Sequence, residues 1–169
     1  MTQPDFFSQQ WADSVRDALA AGPPEQARAG KLQKYWDFFE RIKGTYPASW
    51  ALGCRDLPAQ PAQPAQPALP AQPAGGAAYL FVQWGDGTVT DCQIIAPDAS
   101  PQATYVLGMG YRDWKALHEG YDPQRTVMYR KMMLEDGNLL EFFKAIYFFV
   151  ECLGVIGAVP AQYPAFAAV

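Results

Sequence analysis

Apolar residues recur at helical spacing in two stretches near the start of the chain. Trp11, Val15, Ala18 and Leu19 line one side of the first, which Ser8 can open as an N-cap and Gly22 followed by Pro23-Pro24 closes. In the second, predicted over 25–43, the stripe is Leu32, Tyr35, Trp36, Phe39 and Ile42, and Gly44 is the stop. The pattern then changes to short apolar and alternating runs. YPASWALGC (46–54), AYLFVQW (78–84), TVTDCQIIA (88–96) and ATYVLGM (103–109) read as strands, and Asp86-Gly87 between the second and third is a hairpin signal. Past residue 110 the spacing is helical again, with Trp114 and Leu117 inward over 112–119. Asp122 and Pro123 open another helix whose inward residues are Val127 and Met128. KMMLED (131–136) reads as a fifth strand, and Asn138 caps a last helix from Leu139 to about Gly157.

Strands and helices come in runs without regular alternation. This predicts an α+β fold with a largely antiparallel sheet covered by helices. One segment fits no element. PAQPAQPAQPALPAQPAGG (58–76) has a period of three that suits a polyproline II helix, so it cannot be a tight turn and forms an insertion within the domain.

The last helix carries the strongest signal. At about 100° per residue, Leu139, Ile146, Val150, Leu153 and Gly157 fall near one meridian, and Phe142, Phe143, Tyr147 and Phe149 widen the stripe. Glu141, Lys144 and Glu151 lie opposite, with Phe148 among them. Two readings are open. The helix covers a filled core, leaving Phe148 as a lone exposed aromatic, or it closes an apolar cavity, with Phe148 at a dimer contact or a membrane-touching surface. Periodicity alone favours the filled core, because aromatic stripes are usually core.

Composition narrows the function classes. With 169 residues, half of them hydrophobic and 14% aromatic, the chain is read as one globular domain over 1–169, its N-terminal helices occupying 1–45. The net charge is −4 and basic residues do not cluster, which excludes a nucleic-acid footprint. Three widely spaced cysteines (Cys54, Cys92 and Cys152) and a start lacking the pattern of a signal peptide predict reduced thiols and a cytoplasmic location. The uncharged stretch from Cys152 onward is broken by Pro160 and Pro164, so a membrane span is not expected.

Catalytic chemistry has little to draw on. His118 is the sole histidine, has no neighbour at metal-ligand spacing, and is read as a surface residue of a short amphipathic helix. Gly85-Asp86-Gly87 and Gly108-Met109-Gly110 lack the spacing of phosphate loops. No acid–base pair, nucleophile, metal site or cofactor motif emerges, which predicts a binding protein rather than an enzyme.

The order Trp114, Leu117, Gly120, Asp122-Pro123, Lys131 through Leu134, Gly137 and the apolar helix from Leu139 resembles the sterol-carrier-type lipid-transfer domain. The hairpin AYLFVQWGDGTVTDCQIIA is similar to that family's upstream strands, so the resemblance spans about residues 46–157 apart from the proline tract. Two departures stand out: Arg130 occupies the place of the family's usual glycine, and the tract enlarges a short connection. The resemblance implies a five-stranded sheet backed by helices, with a hydrophobic tunnel between them closed by the last helix. It also implies a non-catalytic carrier of sterol, fatty acid or acyl-CoA. Taken with the helix faces, it implies a lining of Trp114, Leu117, Met128, Phe142, Phe143, Ile146, Tyr147, Val150 and Leu153. Transient membrane contact and a homodimer are further expectations. The rival is a protein-interaction module with a filled core that uses the proline tract and Phe148 as contacts.

Overall fold

The computed structural model describes residues 3–56, 78–95 and 102–163; the proline tract lies outside them. Three helices lead: α1 (Gln9–Ala21), α2 (Glu25–Arg28) and α3 (Gln33–Thr45). The Ser8 hydroxyl accepts from the Trp11 amide, and Gly22 closes α1 at φ +81°. The second predicted helix is broken in two. The carbonyl of Arg28, freed where α2 ends, accepts from the Trp36 indole at 2.8 Å, and the Arg28 guanidinium lies over the Trp36 ring. Leu32, predicted to face inward, falls in the break and is 79% exposed.

Strands β1 (Ser49–Cys54), β2 (Ala78–Gly85), β3 (Thr88–Ile95) and β4 (Tyr105–Met109) follow. Asp86 and Gly87 both take positive φ, the geometry that two-residue hairpins need. Next come α4 (Tyr111–His118), α5 (Pro123–Met128), β5 (Met133–Asp136), α6 (Leu139–Lys144) and α7 (Ile146–Ala158). Asp122 and Asn138 cap α5 and α6 through their side chains. The sheet order is β3-β2-β1-β4-β5, with β1 and β4 parallel and every other pair antiparallel. The fold is therefore α+β with a five-stranded, largely antiparallel sheet and helices packed on it.

Register puts Trp50, Leu52 and Cys54 of β1 level with Val82, Leu80 and Ala78 of β2, and with Tyr105, Leu107 and Met109 of β4. Since alternate residues share a face, these rungs form the floor of the core. On the other face Gly53 stands level with Gly108, and Tyr79 and Glu135 lie across that gap. The Gln9 side chain reaches the backbone of Cys92 and Ile94, so α1 covers the β3 edge.

The last predicted helix is also two helices. Ala145, at φ −116° and ψ 29°, separates α6 from α7. The break shifts the helical phase, so the wheel drawn from Leu139 still sorts Phe149, Val150, Leu153 and Gly157 as buried but misplaces Tyr147 and Phe148. Phe148 is 1% exposed, packed among Phe39, Tyr46, Trp50 and Trp84. It is neither a surface aromatic nor a dimer or membrane contact. Glu151, placed on the polar face, accepts from Tyr35 at 2.6 Å and pairs with Lys31, tying α7 to the α3 region. No helix of the described residues is long and apolar enough to cross a membrane.

Candidate functional site: an apolar cleft beside the last strand

Trp50, Trp84, Phe148 and Phe149 interlock between the sheet and α7. Open volume lies beyond them, at the β5 end. There β4, α5, β5 and α6 surround a cleft of about 450 Å³. Leu107 of β4 and Phe142 of α6 form buried parts of its lining, with Val127, Met132 and Leu134 between them. Met128, Met133, Leu139 and Phe143 complete the lining while remaining partly open to solvent, and Arg130 is the one charged residue among the lining. A concave, largely apolar site of this size suits an acyl chain or a fused-ring body.

The position of α6 explains the geometry. Phe142 packs edge-on against Tyr105 at 5.2 Å and Phe149 at 4.9 Å, which pins α6 to the end of the sheet. Leu139 and Phe143, one turn apart, then reach the cleft from the same helix. Met128, expected to point into the core, is 60% exposed at the last turn of α5, and Thr126 takes the buried position. In this six-residue helix the core-facing side is carried by Thr126 and Val127, which leaves Met128 at its end in solvent.

Of the nine residues expected to line a ligand, Met128, Phe142 and Phe143 meet in this cleft. Trp114 is sealed in an aromatic cluster with Phe6, Phe7 and Trp11, its indole donating to the Gly53 carbonyl. Leu117 lies against Gly157, and Val150 and Leu153 are buried on α7. Ile146 is half-buried against the core, and Tyr147 is exposed beside Tyr35. The sequence reading missed Leu107, Val127, Arg130, Met132, Met133, Leu134 and Leu139 as lining. The alternation in KMMLED was the signal available for the strand residues. A second cleft, about 630 Å³, lies between the end of α1 and α7 and is walled by Pro23, Pro24, Pro123 and Pro160. None of the nine lines it.

His118 departs from its surface reading. The segment around Phe6 and the one around Tyr163 fold over α4, joined by hydrogen bonds from Phe6 to Gln162 and from Gln162 to Pro4. The imidazole contacts the rings of Phe6, Trp11 and Tyr163, and Nδ1 lies 3.1 Å from the Trp114 carbonyl and beside the Tyr163 hydroxyl. Burial holds its pKa below the ordinary 6.5. Unfolding frees the ring to take up a proton, so this contribution to stability is complete above about pH 6.5 and lost as pH falls toward the folded value. The urea midpoint is expected to fall between about pH 7 and about pH 5, and His118→Phe should flatten that slope. An unchanged slope would show that the ring titrates as if exposed.

The remaining chemistry is muted. Burial pushes the Cys54 and Cys92 thiols up to about 12 and raises that of Cys152, leaving no ready thiolate among them at neutral pH. Among the described residues no group of three or more His, Cys, Asp or Glu residues could hold a metal ion.

The fold, helices packed on a five-stranded sheet with the last helices closing the core, is similar to that of solved sterol carrier protein structures. The crystal structure of sterol carrier protein 2 aligns with a TM-score of 0.63 at 16% identity, covering 92% of this chain and 100% of that one. The solution structure of a conserved hypothetical protein from Thermus thermophilus, described as possibly a sterol carrier protein, aligns at 0.61 and 14% identity, covering 96% and 94%. At these identities the likeness is one of fold. No family model and no curated protein matches the sequence.

Proposed function

We propose that the protein is a non-catalytic carrier of apolar lipids and that the cleft beside β5 is where the lipid sits. The observation that carries this reading is the apolar wall left open there: Met128, Met133, Leu139 and Phe143 are all at least partly exposed around one concavity. Exposed apolar residues that converge on one concavity mark a binding site more often than scattered ones do. The driving force would be desolvation, about 25 cal/mol per Å² of apolar area removed from water. Binding by shape with few polar contacts tolerates sterol, fatty acyl and acyl-CoA ligands alike. The fold shared with sterol carrier protein 2 supports the same reading. In this reading Phe142, Phe143 and Met128 touch the ligand, while Trp114, Leu117, Ile146, Tyr147, Val150 and Leu153 shape the scaffold behind it. Three buried free thiols suit a cytoplasmic location.

Phe143→Asp tests the proposal. The side chain is 44% exposed, so the variant should melt near the parent temperature. It loses apolar contact of about 1.5–3 kcal/mol and sets a charge on the wall, so displacement of a fluorescent fatty acid should weaken about tenfold or more. Unchanged affinity would remove the cleft from consideration.

The exposed residues also fit a second reading, contact between two copies of the chain, with Leu140 at 77% exposure extending the patch. Light scattering across a concentration series separates the two, since dimerisation through this face would compete with lipid uptake.

A further inference from the structure

We infer that Arg130 reads the charged head of an anionic, single-chain amphiphile at the mouth of the cleft. This rests on the reading of the cleft as a lipid site and adds a head-group preference to it.

Three observations converge on the residue. Arg130 is the one charged side chain among those lining the cleft; the rest are Leu, Val, Met and Phe. Its backbone sits at φ +60°, directly after the cap of α5, with its amide donating to the Val127 carbonyl. Glycine is the usual residue at such a left-handed helix end, because any Cβ is strained there. A strained non-glycine residue at a cleft mouth is a pointer to function. The third observation concerns its neighbours. Lys131 pairs with Asp113 at 3.5 Å and Lys144 with Glu141 at 2.7 Å, whereas Arg130 makes no ion pair among the described residues. Its guanidinium fork is therefore uncommitted. A fork of this kind matches two oxygens of a carboxylate or a phosphate at once and offers a neutral hydroxyl much less. An alkyl tail along Met133, Leu139 and Phe143 would place such a head at Arg130.

The test uses the full chain and three probes of equal alkyl length: palmitate, hexadecyl phosphate and hexadecanol. Each displaces a fluorescent lipid from the parent, Arg130→Gln and Arg130→Gly. The glycine variant relieves the strained backbone, so it should melt at or above the parent temperature and guards against a folding artefact. Expected is a loss of about tenfold for at least one anion in both variants, with hexadecanol changed by less than about twofold. The anion that loses identifies the head as carboxylate, phosphate or both. If neither anion weakens relative to hexadecanol, Arg130 is not a head-group reader, though the carrier reading stands as long as hexadecanol binds. If no probe binds the parent, the cleft itself is not the lipid site and both ideas fall.

Discussion

Phe148→Ala should lower the unfolding free energy by about 3–5 kcal/mol, as losses of buried aromatics do. The ring lies between elements far apart in sequence, 5.1 Å from Phe39 of α3, 4.9 Å from Tyr46, 6.0 Å from Trp50 of β1 and 5.1 Å from Trp84 of β2. Truncation would leave a void edged by rigid rings, which collapse poorly into it, so the cost belongs near the upper end of the range. Urea denaturation measures the loss. A midpoint within error of the parent would return Phe148 to the surface and undo the phase shift at Ala145.

Gly137→Ala should cost about 2–4 kcal/mol and weaken lipid uptake with it. Two separate penalties act on the added methyl. At φ +117° an L residue is strained, and its Cβ would meet the Thr104 carbonyl at 2.7 Å and Tyr105 Cδ1 at 2.9 Å. The first of these contacts is backbone and cannot swing away. Gly137 also joins β5 to the cap of α6, so any shift moves Leu139 and Phe143 off the cleft. Gly120 provides the control: its φ is +104°, but nothing lies within 4 Å of a Cβ there. Gly120→Ala should therefore show the strain alone. Equal melting temperatures for the two variants would mean that the crowding at residue 137 is relieved at no cost.

Much of this architecture was legible in the sequence because its signals are local. Ser8, Asp122 and Asn138 cap helices as their side-chain chemistry requires, and Asp86-Gly87 makes the hairpin turn that its tolerance of positive φ allows. The break at Ala145 was illegible for the opposite reason, whereas the one between α2 and α3 contains Gly30, a local signal that the stripe of apolar residues overrode in the reading. Ala145 is a good helix former, and no proline or glycine flanks it. Its departure accompanies the packing of Phe142 against Tyr105 and Phe149, which no window of sequence displays. The wheel of the last helix therefore sorted Phe142 correctly as buried and misplaced Phe148 six residues later. The cleft suffered likewise. Its apolar types were visible, but which of them converge depends on how β5 sits against β4. His118 was misread because the chain segments that bury it come from residues far away on either side.

β5 has one further consequence. It pairs with β4 through only three registered positions, with a shift between Val106 and Leu107, and among the described residues no strand lies beyond it. Hydrogen-bond ladders this short exchange their amides through small local openings, well below the free energy of global unfolding. The corner of the sheet that walls the cleft is thus expected to open at less cost than the fold as a whole. Under the proposed carrier function, a lipid wider than the resting mouth would enter by parting β5 and α6 while the aromatic rings on α7 keep the rest of the fold shut.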